Sequence, residues 1–279
     1  MSCHGQHLTG MAVRAAKDHG VPVDEVLEAA QSKANLSLRG ALEQQLLQLV
    51  EPTDAVDGME YALFQMNADG VPASALTDAL VSYLAAAQRE DGDWTNYGIV
   101  RPPLEDGSFA FTAMAIRCLQ MYPIPARKAE FDRRVKKAEA WLQAAYPIST
   151  PDRAMQLLGI HWAGGKVPME RALELKALQN PEGGWSQTPN LAQDAYATGL
   201  SLYALHETDS LGTGDKAYQR GVQYLLRTQA ADGSWHVKSR AAKIQPYFES
   251  GFPYGRDQWI SSAGTAWASM ALAEAIPGH

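Results

Sequence analysis

Apolar residues recur along this chain in two alternating helical patterns. In the first pattern an apolar stripe faces a charged side: Phe131, Val135, Ala138 and Leu142 fall at helical spacing, with arginines and lysines between them. Such a helix lies on the outside of a fold, with one face buried and the other in water. We predict five outer helices of this kind, at residues 23–49, 73–88, 129–145, 167–179 and 215–229.

The second pattern is apolar on nearly every side and rich in small residues. A helix that is apolar all round is buried all round, and small side chains let neighbouring helices approach closely. We predict six inner helices, at residues 8–16, 57–66, 108–121, 153–163, 192–206 and 260–275. The alternation predicts an all-α fold, an (α/α)6 toroid of helical hairpins in which one hairpin can be incomplete. It forms one domain over residues 1–279, with residues 1–7 as a tail.

Three copies of a Gln-x3-Gly-x-Trp unit separate outer from inner segments. They are Gln88-x3-Gly92-x-Trp94, Gln179-x3-Gly183-x-Trp185 and Gln229-x3-Gly233-x-Trp235. A fixed spacing that recurs in the same context marks one structural unit used repeatedly. Glycine adopts the left-handed conformation where a helix stops, and a glutamine amide can both donate to and accept from loop backbone. We therefore expect a structural role for these residues, with each tryptophan covering a helix end.

Charge and composition exclude several classes of partner. The net charge is −7 and no block of lysine and arginine is long enough to follow a phosphate backbone, which argues against nucleic acid. No run of about 18 apolar residues predicts a membrane-spanning helix. We find no signal-peptide pattern in this sequence, so its location stays open between the cytoplasm and, if the start is truncated, export.

The first residues hold a fragment of a familiar motif. Cys3-His4 matches the end of a Cys-x-x-Cys-His haem attachment, but the first cysteine of that motif is missing. We interpret the segment as a tail, or as the shortened start of a longer protein with a further domain upstream. Cys3, His4 and His7 lack a fourth ligand nearby, and Cys118 is too isolated to suggest a disulfide framework, so we predict no metal and no cofactor.

The Gln-x3-Gly-x-Trp units resemble the QW repeats of squalene–hopene cyclases and related class II terpene cyclases. Residues 220–235 match that pattern including its basic-Gly start, and Gly251-Phe252-Pro253 is similar to the C-terminal part of those cyclases. The resemblance runs from about residue 57 to the end. It implies an apolar central cavity, a hydrophobic isoprenoid ligand and cyclisation started by an acid. Prenyltransferase β subunits share the toroid but bind zinc, and the positions around 194 and 263 lack their ligand set.

The family places its acid in an Asp-x-Asp-Asp-Thr-Ala motif at the start of an inner helix. The best match here is residues 191–196, in which only the final aspartate is kept, as Asp194. The middle aspartate, which is the family's proton donor, falls on Gln193. An amide cannot protonate an alkene, so the resemblance alone does not supply the acid.

Candidate acids therefore come from the loops that lead into the inner helices. Asp194 is the first candidate, Glu249 the second and Asp106 the third. Asp194 and Asp106 each have an alternative interpretation, because Asp is favoured as a helix N-cap, and the segment that carries Glu249 could instead be a packed loop that closes the barrel end. Asp194 could cap the helix that follows it, Asp106 or Ser108 the third inner helix, and Asp152 the fourth.

Candidate substrate-binding residues are chiefly aromatic, since aromatic faces can stabilise a carbocation. Several lie in the long connection at 235–259, which could instead close one end of the barrel. A histidine at the end of the fourth inner helix could simply interact with the helix C-terminus. The predicted set is Gln193, Tyr196, Phe109, Phe111, His161, Trp162, Phe252, Tyr254 and Trp259.

Three functions remain open at this point. The first is a toroid that binds or cyclises an isoprenoid by acid-initiated chemistry. The second is a non-catalytic accessory or interaction toroid of a larger protein. The third is a glycan-active α/α barrel, in which Asp106 with Asp194 or Glu249 would supply two carboxylates.

Overall fold

The computed structural model describes residues 3–49, 55–96, 101–242 and 247–276. Within these ranges six helices form the inner ring that the apolar pattern predicts. They are α1 (Cys3–Asp18), α4 (Ala55–Ala68), α6 (Ser108–Met121), α8 (Thr150–Trp162), α10 (Ala195–Glu207) and α12 (Gln258–Glu274). Each packs against the next in this order, and α12 packs against α1, so the ring is closed.

The outer layer consists of helices that return the chain from the end of one inner helix to the start of the next. They are α2 (Glu25–Gly40), the short α3 (Glu43–Leu47), α5 (Ala75–Ala86), α7 (Lys128–Ala144), α9 (Met169–Ala177) and α11 (Lys216–Thr228). From α5 onward, each outer helix contacts the inner helices before and after it. The predicted all-α toroid is confirmed.

Close approach within the inner ring depends on small residues. A Cβ atom added to Gly199 of α10 would lie 2.5 Å from the backbone nitrogen of Ala268 in α12. Real Cβ atoms do not come this close to backbone, so these two helices touch at a position that only glycine allows.

Two boundaries differ from the predicted ones. The outer helix predicted at residues 23–49 is two helices, α2 and α3, and the break follows Gly40, a residue that weakens a helix interior. The first helix begins at Cys3, so most of the predicted tail at residues 1–7 is helical, while Met1 and Ser2 lie outside the described residues. The reason is packing: His7 is buried and its ring stacks on Tyr61 of α4 at 3.7 Å.

Two short strands interrupt the helical pattern before α10. Strand β1 (Trp185–Ser186) pairs antiparallel with β2 (Gln193–Asp194), with Trp185 opposite Asp194. The helical periodicity did not predict them. They fix the register of the loop that leads into α10, and this register decides which way Gln193 and Asp194 face.

Each tryptophan of the Gln-x3-Gly-x-Trp units joins an outer helix to the next inner helix. Its indole nitrogen donates to a leucine carbonyl ten residues earlier, and its backbone N–H donates to a threonine hydroxyl of the inner helix. The three sets are Trp94 with Leu84 and Thr112, Trp185 with Leu175 and Thr198, and Trp235 with Leu225 and Thr265. All six distances lie between 2.7 and 3.1 Å, and none of the three tryptophans is more than 2% exposed. The expected structural role is confirmed.

The glutamines of the first two units join successive outer helices. The side-chain amide of Gln88 donates to the carbonyl of Arg134 in α7 at 2.9 Å, and that of Gln179 donates to the carbonyl of Ala217 in α11 at 2.7 Å. In the third unit, Gln229 donates to the glycine carbonyl of its own turn at 2.9 Å. The first two units therefore connect three elements each.

The glycines of these units provide a test of that packing. Gly183 and Gly233 both have positive φ, +100° and +85°, so alanine at either position costs about 1–2 kcal/mol of backbone strain. A Cβ atom at Gly183 would also lie 2.4 Å from the Arg220 carbonyl oxygen of α11, whereas at Gly233 the nearest atom is 3.9 Å away. We expect Gly183→Ala to lose clearly more unfolding free energy than Gly233→Ala in urea titrations. Equal losses would show that the turn does not press against α11.

Candidate functional site

The inner helices all begin at one end of the ring, because each outer helix returns the chain to that end. We call this end the mouth. The mouth cluster is the set of polar side chains Asp106, Asp152, Gln187, Asp194 and Arg240. Its members come from the loop before α6, the first turn of α8, the segment with β1 and β2 before α10, and the long connection after Trp235.

Arg240 lies at the centre of the mouth cluster. Its Nε donates to Oε1 of Gln187 at 2.7 Å, and the Gln187 amide donates to Oδ2 of Asp194 at 2.8 Å. Its guanidinium also lies 3.9 Å from Oδ2 of Asp106. Sequence analysis missed Arg240 and Gln187. The available signal was that Arg240 is one of two arginines, with Arg256, in the long connection that was already expected to cover a site.

Asp194 is the N-cap of α10, as one of the two predicted alternatives has it. Its Oδ1 accepts the N–H of Ala197 at 2.8 Å, while Oδ2 accepts from Gln187. Burial raises the pKa of Asp194 to about 6, and these hydrogen bonds oppose the rise because they favour the charged form. At neutral pH Asp194 is therefore mainly a carboxylate with both oxygens occupied.

Gln193 faces the other way, since neighbouring residues of a strand point to opposite sides. Its Oε1 accepts the N–H of Gly184 at 2.9 Å, and its backbone carbonyl accepts from the hydroxyl of Tyr224 in the outer helix α11 at 3.0 Å. Gln193, which aligns with the family's proton donor, therefore connects the turn at Gly184 to the outer helix α11.

The expected caps at two other inner helices are wrong. Gly107, with φ of +91°, is the N-cap of α6 and no side chain caps that helix, so neither Asp106 nor Ser108 does so. Helix α8 is capped by Ser149, which exchanges hydrogen bonds of 3.1 and 3.0 Å with Asp152 three residues on. Burial raises the pKa of Asp152, and those hydrogen bonds limit the rise.

Glu249 is exposed on the long connection. The Tyr247 hydroxyl donates to one of its oxygens and the N–H of Gly251 donates to the other at 3.0 Å, and these bonds lower the pKa of Glu249. A proton donor needs the opposite shift. Glu249 is thus placed as an ionised surface group.

The predicted aromatic residues do not all come together. Phe109 contacts Trp141 of α7 at 5.1 Å, between the inner and outer layers, and Phe111 is buried in α6. Phe252 and Tyr254 contact each other in the long connection at 6.4 Å, and Trp259 is half-buried at the start of α12.

His161 and Trp162 lie at the end of α8, away from the mouth. The Trp162 indole donates to Oε1 of Glu207 at 3.3 Å, and its ring lies 6.2 Å from Phe64 of α4. Because only α6 separates α4 from α8 in the ring, this contact spans the inner side of α6.

Aromatic rings from four inner helices line the inner side of the ring, and all are buried except Tyr203, which is half-buried. Tyr203 of α10 lies 5.4 Å from Trp267 of α12, and Tyr196 of α10 is close enough to Tyr61 of α4, across the ring, to affect its pKa. Burial raises the pKa of Tyr61 far above its ordinary value, so its hydroxyl is neutral. We call these residues the axial aromatic cluster: Tyr61, Phe64, Trp162, Tyr196, Tyr203 and Trp267.

The carboxyl group of Glu60, which was not predicted from the sequence, lies on the side of α4 that carries Phe64. Asp57, Glu60 and Phe64 share one stripe of the helix, and the Phe64 ring contacts Trp162 of α8 on the inner side of the ring. Glu60 is 0% exposed, and within the described ranges neither of its carboxyl oxygens has a hydrogen-bond partner. Burial raises the pKa of Glu60 well above its ordinary value, and the nearby Asp57 adds to the rise. The signal was two acids three residues apart in a segment predicted to be buried.

The described residues contain no cluster of three or more His, Cys, Asp or Glu side chains arranged to hold a metal ion. None of their helices combines the length and the apolar character needed to cross a bilayer.

The raised pKa of Asp194 predicts that its contribution to the free energy of unfolding decreases as the pH rises. The folded protein holds a proton on Asp194 up to about pH 6, whereas the unfolded chain releases it near pH 4. The stabilisation by this group is therefore complete below about pH 4 and is lost as the pH rises through about 6. We expect the unfolding free energy of the wild type, minus that of Asp194→Asn, to fall between about pH 4 and about pH 7 in urea titrations.

Asp215 is a matched control because it also caps a helix, α11. Its pKa is lowered by the N–H of Ala217 and by Lys176, so its stabilisation is present above the ordinary pKa and is lost as the pH falls through the lowered one. The corresponding difference for Asp215→Asn should not fall between about pH 4 and about pH 7. The same fall in both variants would refute the burial effect at Asp194.

Comparisons with known proteins agree with this architecture. No family model matches the chain. It is 18% identical to ent-copalyl diphosphate synthase from Streptomyces platensis, with a TM-score of 0.62 over 98% of this chain and 50% of that one. It is 16% identical to a variant of the type II terpene cyclase MstE from Scytonema, solved in complex with its substrate geranylgeranyl dihydroxybenzoate. That match has a TM-score of 0.60 over 99% of this chain and 87% of the other.

A curated relative adds a weak sequence match. Drimenyl diphosphate synthase of Streptantibioticus cattleyicolor is 23% identical in an alignment of 182 residues, and the match covers 59% of this chain and 32% of that protein. The chain thus spans about a third of the curated relative that it matches and half of the Streptomyces structure. Taken with the closed ring of helices, the solved structures establish that the chain has the α/α-toroid fold of class II terpene cyclases.

Proposed function

We propose that this chain binds an isoprenoid at the centre of its ring of helices and cyclises it after protonating one of its alkenes. The observation that carries the proposal is the axial aromatic cluster together with a buried carboxyl group on the same side of α4. An apolar hydrocarbon gains free energy by leaving water for such a site. The aromatic faces can stabilise the cation that protonation creates.

The chemistry requires an acid that is neutral before it reacts. A carboxyl group meets this requirement when burial raises its pKa. Two groups are candidates: Asp194 at the mouth and Glu60 on α4. Protonation forms a C–H bond, the π electrons of further alkenes close the ring bonds, and the final cation loses a proton to solvent. The product is then an isomer of the substrate.

The relatives support an isoprenoid as the ligand class. MstE was solved with a geranylgeranyl compound, and the two others are named as synthases of copalyl and drimenyl diphosphates. Their polar groups differ, so the proposal covers the hydrocarbon part of the ligand and leaves its polar end open.

A second candidate function has observations of its own. Gln193 stands where the family's proton donor aligns, and the chain spans only half of the Streptomyces enzyme. A non-catalytic toroid acting within a larger protein would show both features. Binding and turnover by this chain separate the two candidates.

The direct test is turnover in heavy water. The chain is incubated with farnesyl diphosphate, geranylgeranyl diphosphate or squalene, and the products are analysed by mass spectrometry. We expect an isomer of at least one probe, carrying one deuterium per molecule when it is formed in D2O, because the initiating proton comes from an exchangeable carboxyl group. Unchanged probes throughout would contradict the proposal and leave the non-catalytic toroid.

A matched pair of tryptophans tests whether the axis is the site. Trp267→Leu removes an aromatic face from the axial aromatic cluster, while Trp141→Leu removes one between the inner and outer layers. A desolvated cation–π contact is worth about 2 kcal/mol, so Trp267→Leu should slow turnover by roughly 30-fold. Trp141→Leu should leave the rate per folded molecule unchanged. Equal effects of the two variants, both folded by circular dichroism, would place the chemistry elsewhere.

A further inference from the structure

We propose that Glu60, and not Asp194, is the group that delivers the initiating proton. This assignment rests on the proposed function and names the residue that performs its first step. Nothing in the family resemblance points to this residue, since the matching motif lies at residues 191–196 on a different inner helix.

The position of Glu60 fits the role. It is fully buried on the stripe of α4 that faces the axis, one turn from Phe64, whose ring contacts Trp162 of α8 on the inner side of the ring. A proton held there faces the axial aromatic cluster, where an apolar substrate would lie.

The hydrogen bonding separates Glu60 from Asp194. Both oxygens of Asp194 accept hydrogen bonds, from the Ala197 N–H and from the Gln187 amide, and such bonds favour the ionised form. Neither oxygen of Glu60 accepts any among the residues described. A buried carboxyl group without donors stays protonated at neutral pH, and its O–H remains available to a ligand.

The ionisable groups around Glu60 reinforce its neutral form. Asp57 lies one turn away on the same stripe and disfavours a second negative charge. Burial raises the pKa of the Cys118 thiol of α6 and of the Tyr61 phenol well above their ordinary values, so both are neutral. His7 of α1 lies against the Tyr61 ring.

The proposed step balances without a co-reactant. The O–H bond of Glu60 breaks, a C–H bond forms at the alkene, and the positive charge moves to the adjacent carbon. After ring closure the cation loses a proton to water, and the Glu60 carboxylate takes up a proton from solvent before the next turnover.

Asp57 contacts Asn96, which follows the first Gln-x3-Gly-x-Trp unit, and lies between Glu60 and the start of α4. It is therefore placed on the route by which that proton would return.

The test compares three variants that remove one carboxyl group each. Glu60→Gln keeps size and burial but cannot donate a proton to an alkene. We expect it to lose about 100- to 10,000-fold in turnover, the usual range for a general acid. Asp194→Asn should lose much less, and Asp215→Asn, at the N-cap of the outer helix α11, should behave as wild type. A larger loss in Asp194→Asn than in Glu60→Gln would overturn the assignment.

A second readout follows the proton itself. In protein labelled with ¹³C at the glutamate side-chain carboxyl, one resonance should stay at the protonated position at pH 7 and be absent from Glu60→Gln. A merely structural role would not require this state. Titration of every glutamate resonance at ordinary pH would overturn the assignment whatever the turnover result.

Stability is checked with Glu60→Met, which fills a similar volume without a polar group. Removing a buried, unpaired polar group should raise the melting temperature, so this variant stays folded while lacking the acid. It should then match the turnover loss of Glu60→Gln. If turnover survives in both variants, the role of Glu60 is overturned but the proposed function is not. Absence of turnover in the wild type with every probe overturns the proposed function as well.

Discussion

Three buried tryptophans hold the outer helices to the inner ring. Each makes one hydrogen bond to an outer helix and one to the inner helix that follows it. The indole donates to a leucine carbonyl near the end of the outer helix, and the backbone N–H donates to a threonine hydroxyl inside the next inner helix. Each turn therefore fixes the distance and angle between successive hairpins. Because the ring closes between α1 and α12, small errors in these angles would add up around it and open it.

The sequence was informative wherever a local rule decides the outcome. The two helix patterns predicted six inner helices and the outer helices, since periodicity reports directly on which faces are buried. The fixed spacing of the Gln-x3-Gly-x-Trp units predicted the turns, since the glycines and the glutamine amide have specific backbone partners. The boundaries at Cys3 and Gly40 were not predicted. The first depends on the stacking of His7 on Tyr61, and this contact forms only when α1 and α4 meet.

The chemistry was harder to predict because it depends on environment. Asp194 and Glu249 look alike in the sequence, but burial raises the pKa of one while hydrogen bonds at the surface lower that of the other. Glu60 was overlooked because an acid in an apolar segment is usually paired, and only the packed structure shows that its oxygens lack partners among the described residues. The orientation of Gln193 depends on the pairing of β1 with β2, which helical periodicity cannot reveal.

A crystal structure of the Glu60→Gln protein grown with geranylgeranyl diphosphate tests the central claim most directly. We expect the hydrocarbon chain at the ring axis, against Tyr196 and Trp267, with a double bond next to position 60. An axis filled by side chains alone, or a ligand bound on the outer surface, would contradict the account.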